Sequence, residues 1–369
     1  MENNFVVQFV QRRPFIVKPQ WRQHLQMAAL LIIGTLLMAA CAPIAATPAA
    51  GGADSDAAET GAVVVYSGRS ENLVGPILDK FSQETGIDVQ VRYGGTAEMA
   101  ATLLEEGTNS PADIFFAQDP GGLGAVDNAG LLAPLPESIA NKVLSEFRSP
   151  NGAWVGVSGR ARVVVYNTAA LTPADLPNDI AGFTDPQWAG RLGWAPTNAS
   201  FQAMVTAMRA MWGEEQTRDW LLGIQANEPV VFEGNSPIVA AVGAGEIDAG
   251  FVNHYYLYRF LAEEGEGFPA RNHFLNSGGP GSLVMVAGVG RLATGPNEAN
   301  ALKLIEYLVS TAAQQYFVTE TSEYPVIEGI AIPENLPALT ELNAAPIRLT
   351  ELADLQGTTQ LLIDTGVLP

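Results

Sequence analysis

Segments with strand periodicity alternate with segments of helical periodicity from residue 62 onward. Strand-like stretches cover 62–68, 87–95 and 112–119, and amphipathic helical stretches cover 72–86 and 96–107. The third strand runs into the glycine-rich sequence PGGLGAV, which we expect to form a loop. Because parallel strands need a crossover between them, this β-α-β-α-β order predicts a mostly parallel sheet with helices on both faces.

The rest of the chain continues the alternation, over a length that exceeds one small core and predicts two domains. Two apolar strand-like stretches, 161–167 and 282–290, lie far apart in the sequence, and we interpret them as the two connections between the domains. Further helices are expected near 201–213, 215–226, 237–244 and 298–313. In sheets of this kind ligands bind beyond the carboxyl ends of the strands, so the site is expected in those loops.

The first 61 residues have the pattern of an export signal followed by a tether. Residues 27–40 form an apolar run of fourteen that follows four basic residues and ends in small residues before Cys41. The sequence LMAAC resembles a bacterial lipobox, so we predict a signal peptide over 1–40, lipid attachment at Cys41 and a flexible tether over 41–61. The alternatives are a cleaved signal with an incidental cysteine, a membrane anchor or, from RRPFIVK, a twin-arginine signal.

Composition excludes several kinds of site. The formal net charge of −20 disfavours binding to nucleic acid. One cysteine and three histidines are too few for the clusters that zinc, copper or iron–sulfur centres need, so any metal would be held by oxygen. The sequence has no Gly-x-Ser-x-Gly motif, and His254 and His273 are the only histidines after the signal, which leaves few ways to build a Ser-His-Asp triad.

The sequence GFVNHYYLYRF, residues 250–260, places three tyrosines within four positions. A phenol has a pKa of about 10, so its proton is displaced near neutrality by a hard trivalent cation such as Fe(III) rather than by a divalent one. If a strand ends near Asn253 and a helix begins there, Tyr255 and Tyr256 lie about 100° apart on the first turn and both oxygens can reach one ion. Taken by itself, the motif fits packing in the core or stacking on a sugar better than metal binding, with Tyr258 and Leu261 on the packing face.

Two polar helix starts accompany the tyrosines. Asn198 and Ser200 stand at the start of one predicted helix, where free backbone N–H groups favour an anion. Asn235 and Ser236 are expected to cap a second helix, with Pro237 at its first position. Each start is also explained as an ordinary cap, and only their combination with the tyrosine pair suggests a site.

The sequence from 62 to 369 resembles the ferric-ion-binding periplasmic proteins of iron ABC transporters, through VYSGRSEN, SPADIFFAQD, GWAPTNASFQ, EGNSP and above all GEIDAGFVNHYYLYR. The resemblance implies a two-lobed type II periplasmic-binding fold, in which each lobe is a mixed, mostly parallel sheet flanked by helices and the ligand cleft lies between the lobes. We expect an N-terminal lobe of 62–160 and 285–335, and a C-terminal lobe of 161–284 and 336–369. A monomeric, extracytoplasmic, lipid-anchored carrier would pass iron to a permease driven by an ATPase, without catalysis.

The resemblance also implies a ligand set. Tyr255 and Tyr256 would bind Fe(III), and a synergistic phosphate or carbonate would complete the coordination from the opposite side of the ion. The anion-holding positions of the family match Asn198, Ala199, Ser200, Asn235 and Asn253.

The first lobe departs from the family pattern, which often has a histidine and a glutamate where this chain has Ser70 and Gln118. Gln118 and the adjacent Asp119 are the remaining candidate metal ligands there, although Asp119 equally fits as a cap of the PGGLGAV segment. Residues expected around the ligands are Ser70, Glu71, Arg162 and His254. Arg160 and Arg162 would either offset the charge of the anion or pair with surface acids.

Two other functions fit the sequence. A protein of the same fold would bind a phosphonate, polyamine, thiamine or sugar acid, with the tyrosines stacking or hydrogen-bonding. An exported enzyme would have to use His254, which we expect to be a packing residue or a residue behind the ligands. A structural adhesin would not need this cleft-like arrangement.

Overall fold

A ten-stranded sheet organises residues 61–369, which are the residues that the computed structural model describes. The strands are β1 (Ala62–Ser67), β2 (Asp88–Tyr93), β3 (Ile114–Ala117), β4 (Leu132–Ala133), β5 (Trp154–Asn167), β6 (Leu192–Trp194), β7 (Val230–Val231), β8 (Ala249–Asn253), β9 (Ala270–His273) and β10 (Val284–Leu292). The helices are α1 (Glu71–Thr85), α2 (Thr96–Glu106), α3 (Pro120–Asn128), α4 (Glu137–Ala140), α5 (Ala199–Trp212), α6 (Glu214–Ala226), α7 (Asn235–Ala244), α8 (Tyr255–Glu264), α9 (Glu298–Leu308), α10 (Thr311–Glu320) and α11 (Leu355–Asp364).

The predicted signal peptide, the lipidation site at Cys41 and all of the tether but residue 61 lie outside the described residues. Within residues 61–369, no helix combines the length and the apolar character needed to cross a membrane.

Helix α1 shows how the local sequence sets an element. Its apolar residues recur with helical spacing and form one buried face, made of Leu73, Val74, Ile77, Leu78 and Phe81. The helix ends at Gly86, whose φ of 74° lies in the left-handed region that glycine adopts without steric cost. The next strand, β2, begins two residues later and pairs in parallel with β1, which gives the predicted crossover unit.

The sheet has two halves that meet at one long strand. Its order is β2-β1-β3-β10-β5-β8-β6-β7, with β4 added to β10 and β9 added to β5. The pairs β1–β2, β1–β3, β6–β7 and β6–β8 are parallel, whereas β5 and β10 run antiparallel to their neighbours. We call β1 to β4 with β10 the first half, and β6 to β9 the second half.

Strand β5 belongs to both halves because its partners change along its length. Trp154 to Ala161 pair with β10, whereas Arg162 to Tyr166 pair with β8. The predicted strands at 161–167 and 282–290 are therefore confirmed as parts of β5 and β10. The change of partners falls between Ala161 and Arg162, next to the lobe boundary expected from the sequence.

Two expectations about local structure are wrong. The glycine-rich PGGLGAV segment is helical and forms most of α3, because Asp119 caps its start and Pro120 occupies the first helical position. The glycines allow neighbouring segments to pack closely against α3. A β-carbon added to Gly124 would lie only 2.5 Å from the β-carbon of Ala353. The single helix expected at 298–313 is interrupted, and Ser310 caps a second helix, α10.

Candidate functional site

The tyrosine pair stands at the start of α8, directly beyond the carboxyl end of β8. The strand ends at Asn253 and the helix begins at Tyr255, which confirms the local geometry predicted from the sequence. The two rings stack, with centroids 4.3 Å apart and planes inclined by 27°. Tyr255 is fully buried, whereas Tyr256 is partly exposed. The two stacked phenol groups therefore lie side by side in the first turn of α8.

The Tyr255 ring packs in the apolar core, but its hydroxyl makes no hydrogen bond of ordinary geometry. Burial raises the pKa of Tyr256 well above its ordinary value, and the adjacent Tyr255 raises it further. The positive charges of Arg69 and Arg160 act on Tyr256 in the opposite direction. The Tyr256 phenol therefore keeps its proton near neutral pH although guanidinium groups lie beside it.

Three buried arginines surround the tyrosines. Arg69 follows β1, and Arg160 and Arg162 project from the same face of β5 because alternate residues of a strand share a face. The side chains of all three are almost fully buried, between 0% and 2% exposed. Tyr255 acts to raise the pKa of each of the three arginines, and Arg69 and Arg160 act to lower the pKa of Tyr256.

Most nitrogen atoms of these arginines lack a partner. Arg160 has no hydrogen bond from any of its three guanidinium nitrogens, and Arg162 has none from Nε and Nη2. Arg162 Nη1 donates to Asn253 Oδ1 at 3.0 Å and more weakly to Asn235 Oδ1 at 3.4 Å. Neither Arg160 nor Arg162 forms an ion pair within residues 61–369, so the alternative that they pair with surface acids has no support.

The electrostatics of the arginines follow from burial. Burial lowers the pKa of Arg162 to about 9, with a further contribution from Arg160, and it also lowers the pKa of Arg160. Burial alone would lower the pKa of Arg69 too, but the Glu323 carboxylate reverses the direction and raises it. The site thus carries more buried positive charge than the carboxylates around it neutralise, which is costly for the folded state.

A network of amide and hydroxyl groups lies next to the arginines. Asn235 Oδ1 accepts the backbone N–H of Asn253 at 2.9 Å. Ser200 Oγ accepts both Asn253 Nδ2 at 3.1 Å and Gln118 Nε2 at 3.0 Å. Asn198 caps α5 by accepting the N–H of Ser200 at 3.1 Å, as the sequence predicted. The structure therefore brings the predicted anion-holding residues together around the starts of α5 and α7.

The expected caps of α7 are wrong. The helix begins at Asn235, and Gly234 precedes it without a side-chain cap. The side-chain Oδ1 of Asn235 instead accepts the backbone N–H of Asn253. The Asn235 side chain therefore belongs to the site and does not cap the helix.

Asp119 has two distinct carboxylate oxygens. Oδ1 caps α3 by accepting the N–H groups of Gly121 and Gly122, at 3.0 and 3.3 Å. Oδ2 is buried without a partner, and burial raises the pKa of the side chain while the charge of Arg160 acts against that change. One oxygen is therefore structural, and the other is free for a ligand.

Three other predicted residues lie further from this cluster or behind it. Ser70 and Glu71 are exposed at the start of α1. His254 is fully buried, accepts the N–H of Ala161 at Nδ1 and donates from Nε2 to the Ser322 carbonyl at 2.9 Å. Burial lowers the pKa of His254 to about 4, so the ring is neutral and neither nitrogen is free to act as a base.

Arg69 and Glu323 are the site residues that the sequence analysis missed. They form a fully buried ion pair with an Nη2–Oε2 distance of 2.6 Å, although they are 254 residues apart in the sequence. The only available signal was the presence of Arg69 inside the VYSGRSEN segment. Within the described residues, histidine, cysteine and carboxylate side chains form no group of three that could hold a metal.

The family model for bacterial extracellular solute-binding proteins matches residues 77–344. The chain belongs to this family. The Fe(3+)-binding periplasmic protein of Serratia marcescens is 34% identical over 319 residues, covering 86% of this solute-binding protein and 94% of the relative. Iron uptake protein A1 of Synechocystis is 32% identical, covering 92% and 95%.

Solved structures agree with the sequence comparison. Iron-bound HitA from Pseudomonas aeruginosa superposes with a TM-score of 0.79 at 31% identity, covering 83% of this chain and 99% of HitA. A Trichodesmium protein in complex with iron and citrate gives a TM-score of 0.70 at 28% identity, covering 83% and 99%. This solute-binding protein therefore has the α/β fold of the two-lobed periplasmic binding proteins, and the resemblance to ferric-ion-binding proteins is confirmed.

Proposed function

We propose that this solute-binding protein carries Fe(III) together with an anion. The observation that carries the proposal is the coexistence, in one buried cluster, of oxygen atoms and N–H groups that both lack partners. Tyr255 Oη and Asp119 Oδ2 are acceptors without donors, and the guanidinium of Arg160 is a donor without an acceptor. Because unpaired buried polar groups are costly, a ligand that presents both a cation and an anion satisfies the cluster best.

The tyrosines and Asp119 would hold the metal. Two phenolates and a carboxylate are hard oxygen ligands, and the charge of a trivalent ion offsets the high pKa that burial imposes on Tyr256. Gln118 is a weaker candidate, since its amide nitrogen is already bonded to Ser200 Oγ and only its carbonyl oxygen remains.

The arginines and the amide network would hold the anion. Arg160 and Arg162 offer planar pairs of N–H donors that match the oxygens of phosphate, carbonate or a carboxylate. The start of α5 adds the backbone N–H of Ala199, and the helix dipole there favours negative charge. In this arrangement the phenolates would bind the iron and the arginines would bind the anion. The iron and the anion would then lie next to each other, as synergistic binding requires.

The biological context follows from the relatives. Proteins named for ferric-ion binding and iron uptake match nearly the whole length of this chain and most of their own. From these names we infer an extracytoplasmic iron carrier that is not an enzyme. The lipobox-like sequence LMAAC supports a lipid tether at Cys41, and we propose that the carrier works as a monomer. Closure of the two lobes around iron and anion would create the form that the permease of an ABC importer recognises, and its ATPase would drive uptake.

A second candidate is an organic anion in place of the metal and its partner. The buried arginines favour a phosphonate or a sugar acid over the cationic alternatives, polyamine and thiamine. In that case the tyrosine rings would stack on the ligand or donate hydrogen bonds to it.

The decisive experiment is a visible spectrum of purified apoprotein given ferric nitrilotriacetate with phosphate, carbonate or citrate. We expect a charge-transfer band from phenolate to iron, which disappears in Tyr255→Phe and Tyr256→Phe. Tyr258→Phe is the matched control, because the Tyr258 hydroxyl donates to the Asn335 carbonyl and faces away from this cluster. A colourless wild-type protein, together with thermal stabilisation by an organic anion alone, would establish the second candidate instead.

A further inference from the structure

The Arg69–Glu323 pair is built as a rigid unit. Glu323 Oε2 accepts both Arg69 Nη2 at 2.6 Å and the Thr321 hydroxyl at 3.0 Å. Only one nitrogen of Arg69 is used, and its Nε and Nη1 are buried without partners. Glu323 therefore holds the guanidinium at Nη2 and leaves the N–H groups of Nε and Nη1 free.

The backbone around Glu323 is anchored to the elements that carry the site. The residue after it, Tyr324, exchanges two backbone hydrogen bonds with Gly159 of β5, at 2.7 and 2.8 Å. The residue before it, Ser322, accepts a hydrogen bond from His254, which directly precedes the tyrosine pair. The position of Glu323 is thus tied to β5 and to the start of α8.

The three arginines come from different parts of the sheet. Arg162 bonds to the amide network of the second half, and Arg160 lies on β5 next to the change of partners. Arg69 follows β1 and belongs to the first half, and its charge acts on both tyrosines and on Arg160. Arg69 is the positively charged group that the first half contributes to this cluster.

We infer that the first half grips the anion through Arg69, with Glu323 as the positioning residue, so that the anion is held from both halves of the molecule. This inference rests on the proposed function and deepens it. The chain has Ser70 and Gln118 where the family resemblance implied a histidine and a glutamate, and both Ser70 and Glu71 are exposed. A bridging anion would let the first half hold the cargo through the Arg69 cation as well as through the Asp119 carboxylate.

The pair is difficult to explain as a device for stability. A buried ion pair costs desolvation that its attraction only roughly balances, and apolar residues of equal volume often stabilise a fold as well or better. Here Glu323 Oε1 and two nitrogens of Arg69 also stay unpaired, which adds to the cost. A bound anion would accept a free N–H group of Arg69 and recover part of that cost.

The charges indicate which anions fit. Three buried guanidinium groups face two buried carboxylates, Glu323 and Asp119, and two tyrosinates are offset by a trivalent ion. The loaded site therefore takes an anion of at least two negative charges, with planar or tetrahedral oxygens that two arginines can share: carbonate, hydrogen phosphate or a polycarboxylate.

The test measures the anion concentration that gives half of the charge-transfer band at a fixed amount of ferric nitrilotriacetate. We expect Arg69→Gln to raise this concentration about tenfold or more for phosphate, carbonate and citrate, because it loses charge-assisted hydrogen bonds. The maximal absorbance at saturating anion should stay, since the phenolates are untouched. Arg69→Lys should recover only part of the affinity because it lacks the fork of donors, and Glu323→Asp should lie between wild type and Glu323→Gln.

The exposed pair Arg348 and Glu351 supplies matched controls, as Arg348→Gln and Glu351→Gln remove the same chemical groups outside the site. An unchanged half-saturation concentration in Arg69→Gln and Arg69→Lys, as in the controls, would show that Arg69 is only structural. If Arg69→Gln does not fold, Arg69→Lys and Glu323→Asp decide by the same measurement. Absence of any band in the wild-type protein would instead overturn the proposed function itself, and the inference with it.

Discussion

Replacement of Tyr255 by phenylalanine should make the apoprotein more stable while removing iron binding. The hydroxyl of Tyr255 is fully buried, and apart from the adjacent Tyr256 phenol it makes no hydrogen bond of ordinary geometry, which costs about 1–3 kcal/mol relative to a well-paired or absent group. Phenylalanine keeps the ring that packs in the core and removes only this oxygen. We therefore expect the free energy of unfolding of Tyr255→Phe to rise by about 1–3 kcal/mol, which corresponds to a Tm increase of roughly 2 °C per kcal/mol for a chain of this size.

The assay is urea unfolding of protein stripped of metal by a chelator and dialysed free of phosphate and carbonate. Tyr258→Phe is the control, because it removes a hydroxyl that bonds to the Asn335 carbonyl at 2.8 Å and should cost about 0.5–1.5 kcal/mol. The two variants should therefore shift stability in opposite directions. If Tyr255→Phe destabilises the apoprotein as much as Tyr258→Phe does, its hydroxyl is paired and the reasoning about an unsatisfied ligand oxygen fails.

Three further predictions concern the residues around the tyrosines. Arg160→Met should stabilise the apoprotein by at least about 2 kcal/mol in anion-free urea unfolding, because it removes a buried charge without a hydrogen-bond partner. Added phosphate should no longer stabilise this variant against urea. A loss of stability in the anion-free measurement would contradict this prediction. Asp119→Asn should keep the α3 cap, and with it a stability within about 0.5 kcal/mol of wild type, but weaken iron binding at least tenfold in the visible titration; unchanged affinity would make Asp119 a cap only. Burial lowers the pKa of His254 to about 4, so the unfolded chain binds a proton at this ring more readily than the folded protein does. Stability that is present above about pH 6.5 is therefore lost as the pH falls towards 4. Between pH 7.5 and 5, unfolding experiments should show wild type losing about 2 kcal/mol more than His254→Phe, and parallel losses would refute the assignment.

The local geometry of the tyrosine pair could be predicted from the sequence because all its determinants are close in the chain. An apolar strand that ends at Asn253 and a helical pattern that starts at Tyr255 define the first turn of α8 without reference to other segments. The cap of α5 by Asn198 was predictable for the same reason.

The wrong predictions share a different cause, which is tertiary context. Asn235 has the sequence pattern of a cap, yet its oxygen is taken by Asn253 once β8 lies beside α7. The glycines of PGGLGAV suggest a loop, but close packing of Gly124 on Ala353 requires small residues in a helix. The Arg69–Glu323 pair joins residues from opposite ends of the body, and no local pattern indicates that the two meet.

The account depends on one spatial relation: an iron atom bound by both phenol oxygens, with an anion between that atom and the arginines. Anomalous diffraction at the iron absorption edge, from crystals grown with ferric citrate or with iron and phosphate, measures this relation directly. We predict an anomalous peak within bonding distance of both Tyr255 Oη and Tyr256 Oη, and anion density against Arg160. A peak elsewhere, or phenol oxygens that remain turned away from the metal in the loaded crystal, would contradict the central claim.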